Sequence, residues 1–69
     1  MPEIVLNGER TSLPEGASAA DAVRMAGAPG DGRGVAVALD GEVLPRGEWS
    51  STPLKDGGHV EVLTAVGGG

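Results

Sequence analysis

Two dipeptides, Asn7-Gly8 and Asp40-Gly41, constrain this chain more than any other feature. Each joins a residue that tolerates positive φ to a glycine that adopts it freely. The two-residue hairpin turns whose twist matches paired strands demand that combination. Short aliphatic runs flank both. Ile4-Val5-Leu6 enters the first turn, and Arg10-Thr11-Ser12-Leu13 returns from it until Pro14-Glu15-Gly16 stops the strand. Val35-Ala36-Val37-Ala38-Leu39 enters the second, and Glu42-Val43-Leu44 returns as far as Pro45. A third turn, Asp56-Gly57-Gly58, leads into His59-Val60-Glu61-Val62-Leu63-Thr64-Ala65, whose alternation predicts a last strand with one wet face.

Between the hairpins the period changes. Ser18 followed by Asp21 predicts a helix start, with a side-chain cap on the first free amides and a carboxylate in the positive first turn. Ala19, Ala22, Val23 and Ala26 then line one apolar stripe, and Gly27 followed by Pro29 supplies the stop. A stripe made mostly of alanine predicts a helix lying very close to the surface it covers. Gly30-Asp31-Gly32-Arg33-Gly34 has the glycine content of a phosphate loop. No Lys-Ser or Lys-Thr follows it, however, and the next element is a strand, so it reads as a plain connector. The segment from Arg46 to Leu54 reads as irregular, with Trp49 closing one end of the core and its indole N–H bonded at the rim.

Hairpin, helix, hairpin, irregular segment and strand, in that order, predict an α+β fold with one helix packed on one face of a small mixed sheet. The order matches the β-grasp (ubiquitin-like) topology, in which the first and last strands pair in parallel at the centre. The expected domain covers 1–65, followed by a flexible Gly-rich tail over 66–69.

The size and charge of the chain exclude several functions. Sixty-nine residues make one small domain. Ten acidic residues against five Lys or Arg give a net charge of −5, which disfavours nucleic acid and anionic membrane as partners. No window reaches the ~20 apolar residues of a membrane span. Met1-Pro2-Glu3 lacks the positively charged start of a signal peptide, so the expected location is cytoplasmic. With one histidine, no cysteine and no tyrosine, the chain lacks the parts of a self-contained active site. His59 reads as a solvated edge residue, and Glu61 and Asp56 as charges on a wet surface. No catalytic residue, metal-ligand set or cofactor is expected.

The end of the last strand is different. It runs into Gly67-Gly68-Gly69, so from Ala65 onward five residues with little side chain span about 16 Å when extended. Such a tail either fits a slot too narrow for any Cβ and presents an unhindered carboxylate to an activating reagent, or is a plain frayed end. A domain whose tail reacts must be held meanwhile, so the sheet face away from the helix is expected to be partly apolar. Alternation assigns Val5, Ala36, Ala38 and Leu63 to that face, with Val66 beside them as a partner-binding residue.

Taken with this order, Leu6-Asn7-Gly8-Glu9, the run from Val35 through Trp49 and the run from Leu54 through Val66 resemble the ThiS family, the sulfur carriers of thiamine thiazole biosynthesis. The similarity covers nearly the whole chain, and its more specific parts are Pro45-Arg46-x-x-Trp49 and Gly68-Gly69. The resemblance implies that the Gly69 carboxylate is adenylated with ATP by a ThiF-like activating enzyme and converted to a thiocarboxylate. The sulfur would then pass to a ThiG-like thiazole synthase, with Gly68 as the penultimate glycine of the motif. The chain would be a carrier, and its partners would perform the catalysis. Gly67, Asp40 and Gly58 depart from the family pattern. Carriers for molybdopterin or a secondary metabolite, and ubiquitin-like modifiers joined to lysines, use the same activated glycine, so the pathway stays open. So does a β-grasp adaptor whose tail has no chemistry.

Overall fold

The computed structural model describes residues 1–28 and 32–65. Strands β1 (Glu3–Leu6) and β2 (Glu9–Ser12) form the first hairpin, and helix α1 (Ala19–Met25) follows. Strands β3 (Val35–Leu39) and β4 (Glu42–Leu44) form the second hairpin, and β5 (His59–Thr64) is last. The sheet order is β2-β1-β5-β3-β4, with β1 and β5 parallel and every other neighbour pair antiparallel. This five-stranded mixed sheet with one helix has the expected β-grasp arrangement.

Both hairpin turns place two consecutive residues at positive φ: Asn7 at 51° and Gly8 at 86°, Asp40 at 50° and Gly41 at 87°. The two Asx side chains also secure the central strand. Asn7 donates its N–H to the Val60 carbonyl at 2.9 Å, and its side-chain Oδ1 then accepts the Val62 N–H at 2.7 Å. Its Nδ2 donates to the Val62 carbonyl at 3.2 Å, so the amide continues the β1–β5 ladder past the point where β1 turns away. Asp40 donates its N–H to the His59 carbonyl at 2.8 Å and accepts the His59 N–H on Oδ1 at 2.9 Å. His59 therefore opens a central strand, with its side chain exposed, and is not an edge residue.

The inner face buries Ile4, Leu6, Val37, Val60 and Val62 against Ala19, Ala22 and Val23 of the helix. Ala19 and Ala22 have no exposed surface, as the close approach of an alanine stripe requires. Ala26 does not belong to that stripe: it caps the helix C-terminus and is exposed, because seven residues make only two turns. The Asp21 carboxylate accepts the Ser18 N–H at 2.7 Å and its hydroxyl at 3.3 Å, while the Asp21 N–H donates to the Ser18 carbonyl at 3.0 Å and not to the hydroxyl expected to cap it. The first two helical amides are satisfied differently, because Ala19 donates to the Thr52 carbonyl and Ala20 to the Trp49 carbonyl. The segment expected to be irregular thus caps the helix with main-chain oxygens, and its start is a 3₁₀ turn over Arg46–Glu48.

Strand β2 ends one residue before the expected boundary, freeing Leu13 to be fully buried while its N–H donates to the Pro2 carbonyl at 2.9 Å. Trp49 plugs the core as expected, 6% exposed, with Nε1 donating to the Leu44 carbonyl at 2.9 Å. Pro29, Gly30 and Asp31, assigned to the helix stop and connector, lie outside the described residues. No helix among the described residues is long and apolar enough to cross a membrane.

Two stability tests follow from these contacts. Asn7→Ala removes two hydrogen bonds and leaves an L-residue at positive φ, so a loss of about 2–4 kcal/mol is expected. Asn7→Gly keeps the conformation and should lose only about 1–2 kcal/mol, the ranking being read from urea midpoints. Asp21 tests the acid side. The Ser18 amide bond, with the Arg24 guanidinium beside it, holds its carboxyl below the usual carboxylate range. Stability from such a group is complete above its unfolded pKa and is lost as pH falls through the folded value. Asp21→Asn should therefore lower the thermal midpoint at neutral pH, and its difference from the original chain should close as pH falls below about 4.

Candidate functional site

The sheet face opposite the helix is set by the parity of the buried residues. With Val60 and Val62 inward, β5 presents His59, Glu61 and Leu63 outward, and with Val37 inward, β3 presents Ala36 and Ala38. Cross-strand register then decides which of these residues meet. Ala36 lies directly opposite Leu63, and Ala38 lies between Glu61 on one side and Val43 of β4 on the other. Leu63 is 68% and Val43 81% exposed, both high for large aliphatic side chains.

Ala36, Ala38 and Leu63 therefore form one patch. Val5 shares the face but not the patch. It is half-buried between Arg10 and His59, and along β5 it stands level with His59, about 13 Å from Leu63. Val43, in contrast, was not singled out from the sequence. Its outward direction follows from the Asp40-Gly41 turn, because a two-residue hairpin places Val43 opposite Ala38 and Leu44 opposite the inward Val37. Glu61 sets a carboxylate among these apolar groups, so the surface best complements an apolar face bearing a cation.

The same face contains the exit of β5. Val35 and Thr64 are the last ladder pair, and one step further the Ala65 N–H donates to the Gly34 carbonyl at 2.6 Å. Gly34 has φ of +64° in a turn closed by the Val35 N–H on the Gly32 carbonyl at 3.2 Å. Gly32, at φ of +76°, is buried under the following motif. A Cβ there would stand 2.6 Å from Arg46 Cδ and 3.2 Å from the Trp49 ring. Pro45-Arg46-Gly47-Glu48-Trp49 thus supports the turn that holds the end of β5. An open groove lined by Gly34, Ala36, Leu63 and Ala65 runs alongside. Val66, Gly67, Gly68 and Gly69 lie outside the described residues.

The polar groups do not converge on one reaction centre. The Asp56 carboxylate is occupied by the Glu3 N–H at 2.8 Å, and the Asp40 carboxylate by the His59 amide. Among the described residues no three His, Asp or Glu side chains gather as metal ligands.

Comparison with known proteins covers the whole of this architecture. A family model described as the ThiS family matches residues 3–69. Among solved structures, the crystal structure of a thiamine biosynthesis protein (ThiS) from Geobacter metallireducens is similar, at 29% identity and a TM-score of 0.72. The similarity covers 97% of this chain and 99% of that one. No curated protein matches.

The division between faces can be checked with adjacent residues. Leu63→Asp should change unfolding free energy by no more than about 0.5 kcal/mol, because its site is already in water. Val62→Asp forces a carboxylate into the core and should cost more than about 3 kcal/mol, enough to leave the chain unfolded in urea titrations at neutral pH.

Proposed function

The chain belongs to the ThiS family, whose members are small sulfur carriers and not catalysts, and on that premise we propose that the Gly69 carboxylate is its reacting group. The observation that carries this reading is the family match running through residue 69, beyond a strand whose end is anchored at Ala65. A carboxylate is a poor electrophile until one oxygen becomes part of a good leaving group. Attack of a Gly69 oxygen on the α-phosphate of ATP, with loss of pyrophosphate, gives an acyl adenylate. A sulfur nucleophile then displaces AMP, and the resulting thiocarboxylate gives its sulfur to the thiazole of thiamine. Glycine at 68 and 69 leaves the carbonyl carbon without side-chain obstruction.

Adenylation is assigned to a ThiF-like enzyme and sulfur acceptance to a ThiG-like thiazole synthase, meeting the carrier in the cytoplasm. The docking surface in this reading is Ala36, Ala38 and Leu63, enlarged by Val43, with Val66 next in sequence after the anchor and Val5 at the margin. The geometry of β5 supports the assignment because the patch and the exit of the tail share one end of one face.

Intact mass of the protein isolated from its own cells tests the chemistry. Replacement of one terminal oxygen by sulfur is expected. A branched conjugate would instead identify a modifier, and a chain that stays unmodified while thiamine is being made would identify an adaptor. Deleting Gly69 should abolish ATP-dependent activation and leave the thermal midpoint unchanged. Leu63→Asp should weaken binding to the activating enzyme by about tenfold or more in calorimetry, and unchanged affinity would remove Leu63 from the interface.

A further inference from the structure

We propose that Gly34 is a positioning residue for the carrier's tail, holding Ala65 and hence setting the residue from which the reach to Gly69 is counted. The proposal rests on the carrier reading above and on three observations. The Gly34 carbonyl takes the Ala65 N–H, one step past the last ladder pair. It faces that way because φ at Gly34 is +64°, a conformation costly for L-residues and severely so for β-branched ones. A Cβ at this position would meet Ala65 Cβ at 3.6 Å, an ordinary contact, so backbone conformation and not space is what calls for glycine.

The consequence is a matter of reach. With Ala65 held, four residues separate the anchor from the chain's reacting end, about 14 Å at full extension. Alternation of the ladder puts the next hydrogen-bonded pair at Ala36 and Leu63, so loss of the Gly34 bond moves the anchor back by two residues. Thr64 and Ala65 must then be ordered again at each turnover, a cost of roughly 30-fold or more in rate. The docking patch of Ala36, Ala38, Leu63 and Val43 is untouched, so the loss belongs to kcat and not to KM.

Two changes remove the same bond by different means. Gly34→Val forces the backbone out of the positive-φ region, and Ala65→Pro deletes the donor. Gly34→Asn, which tolerates that region, keeps the bond. With full-length protein, ATP and the ThiF-like enzyme, Gly34→Val and Ala65→Pro should each lower kcat roughly 30-fold or more with KM within twofold, and Gly34→Asn should keep kcat near that of the original chain. Amide hydrogen exchange should find Ala65 protected in the unaltered chain and in Gly34→Asn but exposed in Gly34→Val, with Val62 slow in all three. Unaltered kcat in both disruptive variants, or an unprotected Ala65 in the original chain, overturns the positioning role alone. An original chain inert to ATP and the activating enzyme, with Ala65 protected, overturns the carrier reading and the role built on it.

Discussion

The parallel pairing of β1 with β5 joins segments almost a whole chain apart, and every other feature of the molecule is arranged around it. Asn7 and Val62, 55 positions apart, are linked by two hydrogen bonds. Closing so long a loop has an entropic cost that local hairpins do not carry. The strand that bears this cost is secured at both ends by the turns of its neighbours, with Asn7 holding Val62 and Asp40 holding His59. Residues chosen for their tolerance of positive φ therefore also serve as side-chain extensions of the ladder. Asparagine or aspartate meets the acceptor requirement at position 40, so the departure of Asp40 from the family pattern leaves its bond to β5 in place.

A short helix of alanines closes one side of the sheet and leaves the other open. With Ala19 and Ala22 in full contact, α1 covers Val37, Val60 and Val62 but contributes little apolar bulk. Leu13, Trp49 and Leu54, all from outside the regular elements, complete the core. The outer face keeps Leu63 and Val43 in solvent beside Glu61, so a chain with a net charge of −5 retains one region where apolar contact and a single negative charge coincide.

Much of this was legible in the sequence because it is local. The Asx-Gly steps marked both hairpins, the alternation at 35–39 and 59–65 marked strands with their faces, and Gly27 marked the helix stop. The misreadings are non-local. Alternation tells which way Val5 points but not that β5 separates it from Ala36, a matter of strand order. Val43 was within reach, since its direction follows from the hairpin register. The amides of Ala19 and Ala20 found the carbonyls of Thr52 and Trp49, and the Asn7 amide found Val62, contacts that no window of residues displays. Gly34 looked like one glycine among several in a connector, and only its register opposite Ala65 distinguishes it.

Trp49 is the sole aromatic residue, so all near-ultraviolet absorption and emission arise from one indole. That indole touches the space at Gly32, and the carbonyl of Gly32 closes the turn in which the carbonyl of Gly34 anchors Ala65. The molecule thus has a built-in fluorophore against Gly32, two residues along the backbone from the carbonyl that holds Ala65. Its colour and polarisation offer a label-free optical record of whether the Ala65–Gly34 hydrogen bond is made or broken.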